Sequence, residues 1–206
     1  MITVINMKIL IYYEDDNIIV CEKPRGVISQ KSDKNCMPGL LSRQSGAEIY
    51  PVHRLDTDTT GVMVFAKNKK TARFISKQIE NRTFKKQYLA KLENLPLRES
   101  GTLTDLLYYD RKANKSYVVK RKRNGVKEAE LSYRVEDCEN RVVSVFLKTG
   151  RTHQIRVQFS NIGCPIVGDR RYGSRTAGRI HLHCHRIEFL DFDGEIMSFS
   201  SLPDWE

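Results

Sequence analysis

The dipeptide Asn124-Gly125 is flanked by two stretches that read as strands, 116–123 and 126–135. Asn-Gly is the pair that best tolerates the positive φ angles of a two-residue hairpin turn. The pattern predicts an antiparallel hairpin over 116–135.

The other apolar segments extend that sheet. Ile9–Tyr13 and Ile18–Glu22, separated by Asp15-Asp16-Asn17, read as an opening pair of strands. Lys23–Ala47 holds Pro24, Gly26, Pro38, Gly39 and Gly46, and reads as a long surface loop able to wall a cleft. Gly61–Ala66 is a continuous apolar run of the fully buried type, and Lys70–Asn81 sets Ala72, Ile75 and Ile79 near helical spacing. Phe84–Leu92 places Phe84, Tyr88, Ala90 and Leu92 on one face and Lys85, Gln87 and Lys91 on the other, so Tyr88 is expected to point inward. In Arg141–Lys148, Val143, Val145 and Leu147 share a face. That strand runs through Gly150 into a helix that Thr152 is placed to cap, with Ile155, Phe159 and Ile162 as its core stripe and Arg156 at the margin. Arg179–Phe189 and Glu195–Phe199 close the chain as two strands around Asp191–Gly194. Two helices among many strands in 206 residues predict a single domain, 1–206, of the α+β class with a mainly antiparallel sheet.

Charge narrows the function. The 35 Lys and Arg exceed the 25 Asp and Glu, for a net +10 and a pI near 9.4, which calls for an anionic partner. No apolar stretch approaches the ~20 residues that span a bilayer, no amphipathic anchor stands out, and Met1–Tyr12 lacks the pattern of a signal peptide, so nucleic acid is expected rather than a membrane, in the cytoplasm. The cysteines at 21, 36, 138, 164 and 184 form no Cys-x-x-Cys pair and are odd in number, which fits reduced thiols rather than disulfides or structural zinc.

Residues 53–67, His-Arg-Leu-Asp-Thr-Asp-Thr-Thr-Gly-Val-Met-Val-Phe-Ala-Lys, place Asp56 in a polar turn between Arg54 and an apolar strand. Taken alone, that carboxylate is most simply a cap or turn residue. A second segment, Lys148-Thr-Gly-Arg-Thr-His-Gln-Ile-Arg-Val157, supplies two arginines that bracket one helical turn. Further segments fall in a fixed order: Glu22-Lys23-Pro24-Arg25-Gly26-Val27, Phe84-Lys85-Lys86-Gln87-Tyr88-Leu89-Ala90, Pro165-Ile166-Val167-Gly168-Asp169, and His181-Leu182-His183 with Leu202-Pro203. Together, from Ile9 to Trp205, they resemble the RluA-type RNA pseudouridine synthases. Two departures are visible: Ser29-Gln30 stands where the family often has His-Pro, and Gln158 where it often has His. The resemblance does not include the small N-terminal RNA-binding domain many members carry, so substrate choice is expected within the catalytic domain or its loops.

The resemblance implies a mixed sheet flanked by helices and loops around a central active-site cleft, and a monomer that converts uridine in ribosomal or transfer RNA to pseudouridine without cofactor or metal. Asp56 matches the catalytic aspartate and Arg156 its partner; an opposite charge a few Å away keeps a carboxylate ionised and fixes its direction. Tyr88 matches the residue that packs against uracil; by pattern alone it is an ordinary core tyrosine. The reacting uridine must leave the stack, and Arg54 matches the arginine that fills the vacated space, although alone it reads equally as a phosphate contact or a surface charge. Arg151, His153 and Gln154 shape the site or contact the RNA backbone, with individual roles open.

Between Arg111 and Lys127 stand eight basic residues, four of them consecutive: Lys120, Arg121, Lys122 and Arg123. They read either as a solvated surface or as a finger that grips phosphates. Three alternate strand positions span ~13 Å, too far for His181, His183 and His185 to reach one ion easily. Asp56-x-Asp58 reads as a turn rather than a Mg²⁺ site, and Gly168–Gly173 lacks the phosphate-loop spacing. The competing functions are a non-catalytic RNA-binding protein or chaperone on the same scaffold and a glycosidase, which needs a second carboxylate.

Overall fold

Ile18–Cys21 and Val62–Ala66 are buried along their whole length, as strands covered on both faces must be. They lie side by side in a computed structural model that describes residues 7–30 and 35–205 and divides into two compact units. The first unit runs to Lys86 and resumes at His183–Asp204; the second is Gln87–Leu182 with Trp205.

The first unit carries β1 (Ile11–Glu14), β2 (Ile18–Lys23), α1 (Met37–Ser45), β3 (Tyr50–Pro51), β4 (Thr60–Ala66) and α2 (Lys69–Glu80). The second carries β5 (Lys85–Lys91), β6 (Ser100–Asp110), β7 (Lys115–Val119), β8 (Val126–Asp137), β9 (Val142–Leu147) and α3 (Gln154–Asn161). The chain then returns to the first unit with β10 (Leu182–Leu190) and β11 (Ile196–Ser200).

In the first unit β2 pairs antiparallel with β1 and β4, while β10 joins β4 in parallel through His183↔Thr60 and Cys184↔Gly61 and pairs antiparallel with β11 from Arg186↔Ser200 to Leu190↔Ile196. Gly61 has φ +119°, and a Cβ there would stand 2.3 Å from the Cys184 carbonyl oxygen, so only glycine lets these backbones meet. Asn68 caps α2 by accepting from the Thr71 backbone N–H. The Gln78 carboxamide bonds both backbone groups of Leu190 at 2.8 Å, tying α2 to β10.

The loop expected over Lys23–Ala47 contains helix α1; residues 31–34 of it lie outside the described residues. Pro38 and Gly46, which read as loop punctuation, are its start and stop: proline fits the first turn of a helix, and Gly46 closes the end at φ 71° with its N–H on Ser42. Met37, Leu40 and Leu41 bury its apolar face.

In the second unit the order is β5-β9-β8-β6-β7, all antiparallel. The hairpin expected over 116–135 does not form. β6 lies between its two arms, pairing with β7 as far as Leu106↔Val119 and with β8 from Ser100↔Arg134 to Tyr108↔Val126. Asn124-Gly125 does make a turn, with the Val126 N–H on the Arg123 carbonyl and Gly125 at φ 82°, but that turn belongs to a crossover, 120–125, passing over β6. The hairpin turn that joins adjacent strands is 111–114, where Asp110 Oδ1 accepts from the N–H groups of Lys112 and Ala113. A long strand with registers on both edges prevails over local turn chemistry.

Two expectations for α3 also change. His153, at φ 53°, is the cap instead of Thr152 and makes no side-chain cap bond. Arg156 is buried at 5% exposure while Ile162 is 39% exposed, so every residue from Gln154 to Phe159 is inside. The inward face of Phe84–Leu92 and the closing pair β10–β11 are as expected, and Tyr88 is buried. The five cysteines are free thiols, and among the described residues no helix is long and apolar enough to cross a membrane.

Candidate active site

The turn that carries Asp56 is fixed from beneath by side chains distant in sequence. Leu55 is buried, and the Ser29 hydroxyl accepts from its N–H at 3.0 Å and donates to its carbonyl at 2.6 Å. Gly26 donates its N–H to the Thr57 carbonyl at 2.8 Å. Lys23, fully buried, donates its ammonium to the carbonyls of Pro24, Thr57 and Thr59, each at 2.9 Å. Three donors spent on three carbonyls satisfy a group that is costly to bury, and they hold 57–59 in place. Burial pulls the Lys23 ammonium down to about 8, opposed by the charges of Asp58 and then Asp56.

On that support the Asp56 side chain is 18% exposed and the Arg54 side chain 57%, with the guanidinium Nη2 4.0 Å from Asp56 Oδ1. Asp58 instead meets Arg25 at 3.7 Å. His53, buried, accepts from the Val64 N–H at 3.2 Å and packs its ring on Phe84; burial, then the Lys86 charge, hold it well below its ordinary range.

Behind the entrance to β4 lies a polar chain: Thr60 Oγ1 to His183 Nδ1 at 2.8 Å, His183 Nε2 to Ser201 Oγ at 2.9 Å, and Ser201 and Tyr12 both donating to Glu22. Burial lowers His183 to about 4 from 6.5. The native state then keeps it neutral where the unfolded chain takes a proton, so the unfolded state binds more protons between about pH 4 and 6.5. Stability should fall as pH drops through that window, by up to roughly 3 kcal/mol, and this group should contribute no slope above it. Urea unfolding of His183→Gln across pH 4–7 is expected to show a shallower fall; an unaltered slope would remove His183 from the account.

The second unit holds the other candidates. Tyr88 is buried on β5. Arg156 makes a two-pronged pair with buried Asp169, Nε to Oδ2 at 2.6 Å and Nη2 to Oδ1 at 2.9 Å, with its guanidinium 5.0 Å from the Tyr172 ring centre. The Tyr172 hydroxyl accepts from the Ser116 N–H and lies 2.9 Å from His153 Nδ1. Gln154 Oε1 accepts from the Arg151 N–H and Thr149 Oγ1, and its Nε2 donates to the Glu130 carbonyl. Arg151 Nε donates to the Glu128 carbonyl, and Lys122 pairs with the Glu128 side chain at 2.7 Å. Lys120, Arg121, Lys122 and Arg123 are all exposed on the crossover rather than on a strand.

Thus Arg54 meets Asp56 in the first unit, while His153 and Arg156 meet through Tyr172, and Arg151 meets Gln154, in the second. Sequence reasoning gave no role to Lys23, Ser29, Asp169 or Tyr172. Lys23 and Asp169 lie inside quoted motifs, which is the signal that flagged their segments; Ser29 was visible only as a departure. His181 packs against Trp205, and His185 bonds the Ser201 carbonyl. Among the described residues no group of three or more His, Cys, Asp or Glu is placed to hold a metal. Gly168 meets the backbone of Arg179, where a Cβ would collide with the carbonyl oxygen, so it serves packing.

Residues 17–161 match the family model described as RNA pseudouridylate synthase. An uncharacterized RNA pseudouridine synthase of Bacillus subtilis is 33% identical over 96% of the chain and 70% of its own length. The ribosomal large subunit pseudouridine synthase D of Borreliella burgdorferi is 32% identical over 89% of the chain and 61% of its own length, and that of Nitrosomonas europaea 36% over 97% and 63%. The chain thus spans only 61–70% of these relatives. The structure of human RNA pseudouridylate synthase domain containing 1 superposes with a TM-score of 0.82 at 22% identity, over 99% of this chain and 86% of that one, which shows a shared α+β fold. The chain belongs to the RNA pseudouridylate synthase family.

Proposed function

We propose that this chain isomerises selected uridines in RNA to pseudouridine, with residues 1–206 working as one catalytic domain. The reaction breaks the bond from ribose C1′ to N1 of the base and forms one from C1′ to C5, releasing the C5 proton and placing one on N1, so atoms balance without oxidant, reductant or consumed water. It needs a carboxylate beside sugar and base, either to add covalently or to assist base departure and take a sugar proton. Asp56 is assigned that task, Arg156 the task of directing the carboxylate, and Tyr88 that of packing against uracil. Arg54 is assigned to the space left by the flipped nucleotide, and Arg151, His153 and Gln154 to shaping the substrate site. The observation that carries the reading is the Asp56 turn, a partly exposed carboxylate on a backbone fixed by buried Lys23 and Ser29. Catalysis by position requires such fixation.

Ribosomal RNA is the first substrate to test, because two relatives are named for the large ribosomal subunit; transfer RNA is the second. The working form is taken as a cytoplasmic monomer without cofactor or metal. Incubating the purified chain with each RNA and quantifying pseudouridine tests the reading. Binding without product would favour a non-catalytic RNA-binding protein, and base release without pseudouridine would favour a hydrolase.

Lys120, Arg121, Lys122 and Arg123 are assigned to phosphates near the target. Changing all four to Ser should weaken binding at every RNA sequence and flatten the plot of log affinity against log salt by ~0.7 per lost single-strand contact. Titration at several salt concentrations decides this; an unchanged slope would make the crossover a soluble surface only.

A further inference from the structure

The crossover lies over the face of β6 and β7 opposite to the one that carries Leu107 and Val118. Leu107 stands opposite Val118, and both turn inward to pack with Ala129, Val157 and Tyr172. Alternation sends their neighbours to the other face, where Tyr108 is opposite Tyr117, flanked by Leu106 opposite Val119 and by Val126. The Arg123 guanidinium is 5.1 Å from the Tyr108 ring centre, and a Cβ at Gly125 would stand 3.5 Å from the edge of that ring. Lys115 Nζ is 5.6 Å from the Tyr117 ring centre, and Tyr117 is 41% exposed. The segment from Arg111 to Lys127 contains eight basic residues and no acidic one.

We infer that Tyr108 and Tyr117 form a stacking platform for bases of single-stranded RNA, with Lys120–Arg123 running along its phosphates. The inference rests on the pseudouridine reading for the nature of the nucleic acid. Two neighbouring aromatic rings, each with a cation against it and a run of exposed cations alongside, offer a π-face for bases and charge for backbone, which is how single strands are held without sequence readout. An acidic protein would use the charges and gain little from the rings. Tyr117, 41% exposed, carries the open half of the platform, and Tyr108, opposite it on the neighbouring strand, lies against Arg123.

The test is affinity, measured on the full chain by fluorescence anisotropy with a uridine-rich RNA 12-mer and an abasic ribose-phosphate 12-mer. Tyr117→Ala should weaken the base-bearing strand ~5- to 100-fold, as loss of one stacking contact does, and leave the abasic strand and the salt slope as in wild type. Tyr117→Phe, which keeps the ring, should restore affinity to within about twofold. The inference is overturned if Tyr117→Ala binds the uridine 12-mer like wild type, if it loses both strands equally, or if it instead loses affinity for polyglutamate. Because affinity is read without turnover, absence of pseudouridine formation by the wild type would refute the proposed reaction and leave the stacking result to stand or fall by itself.

Discussion

Asp56→Asn is expected to abolish pseudouridine formation, lowering turnover by on the order of 10³-fold or more, the range in which a nucleophile or general base acts. The substitution keeps side-chain volume and one oxygen while removing the ionisable group. The turn should survive it, because the contacts that fix 55–59 come from Lys23, Ser29 and Gly26 and reach backbone atoms rather than the carboxylate. RNA affinity should therefore change little, and thermal unfolding should match wild type. Product analysis on ribosomal RNA with both proteins at equal concentration provides the measurement. Turnover within about tenfold of wild type would sink the assignment of Asp56, whatever the fate of the other residues.

Asp169→Asn should produce the largest loss of stability. Its carboxylate is 1% exposed and makes two bonds to a guanidinium that is itself 6% exposed, so the charges are compensated in a medium that solvates them poorly. Removing one charge of such a pair while the other stays inside costs ~3–5 kcal/mol. Urea unfolding followed by far-UV circular dichroism should register the drop. The double variant Asp169→Asn with Arg156→Met should recover part of it, since no buried charge is then left behind. A loss below about 1 kcal/mol would show that Arg156 is held mainly by other contacts. Activity of the single variant should also fall, because the proposed director of Asp56 would no longer have its orientation fixed.

Elements whose burial pattern is written locally were legible from the residues. The alternation of Phe84–Leu92 and the unbroken run Gly61–Ala66 each have one reading, and both strands are where expected. Helix α1 escaped because Pro38 and Gly46 serve equally to punctuate a loop or to bound a helix, and nine residues give too little periodicity to choose. β6 escaped because Leu106-Leu107-Tyr108-Tyr109 breaks the alternation that marks a strand. With β6 unread, Asn124-Gly125 had no competitor for its flanks, and the pairing of β7 and β8 was misassigned. Turn chemistry is a property of four residues, whereas strand pairing is decided by registers along nine or ten. The site shows the same division. Asp56 stands in a recognisable string, but Ser29 and Lys23 act on it from 26 to 36 positions away, and Asp169 reaches Arg156 across 13. A motif can flag the segments of Lys23 and Asp169, but which groups they meet has no local signature, because what selects the partner is the fold.

The parallel pairing of β10 with β4 sets an order of assembly. Thr60 and His183 are 123 positions apart, so the strand leaving the Asp56 turn waits for a partner that arrives only after the whole second unit has been threaded. β6, β7 and β8, by contrast, are consecutive and can zip together with short loops. Closing the long loop costs entropy that grows slowly with length, so the delay is kinetic more than thermodynamic. During that interval one edge of β4 offers unpaired backbone groups to any other extended chain. In a growing polypeptide the Asp56 turn is therefore made well before the strand that completes its surroundings.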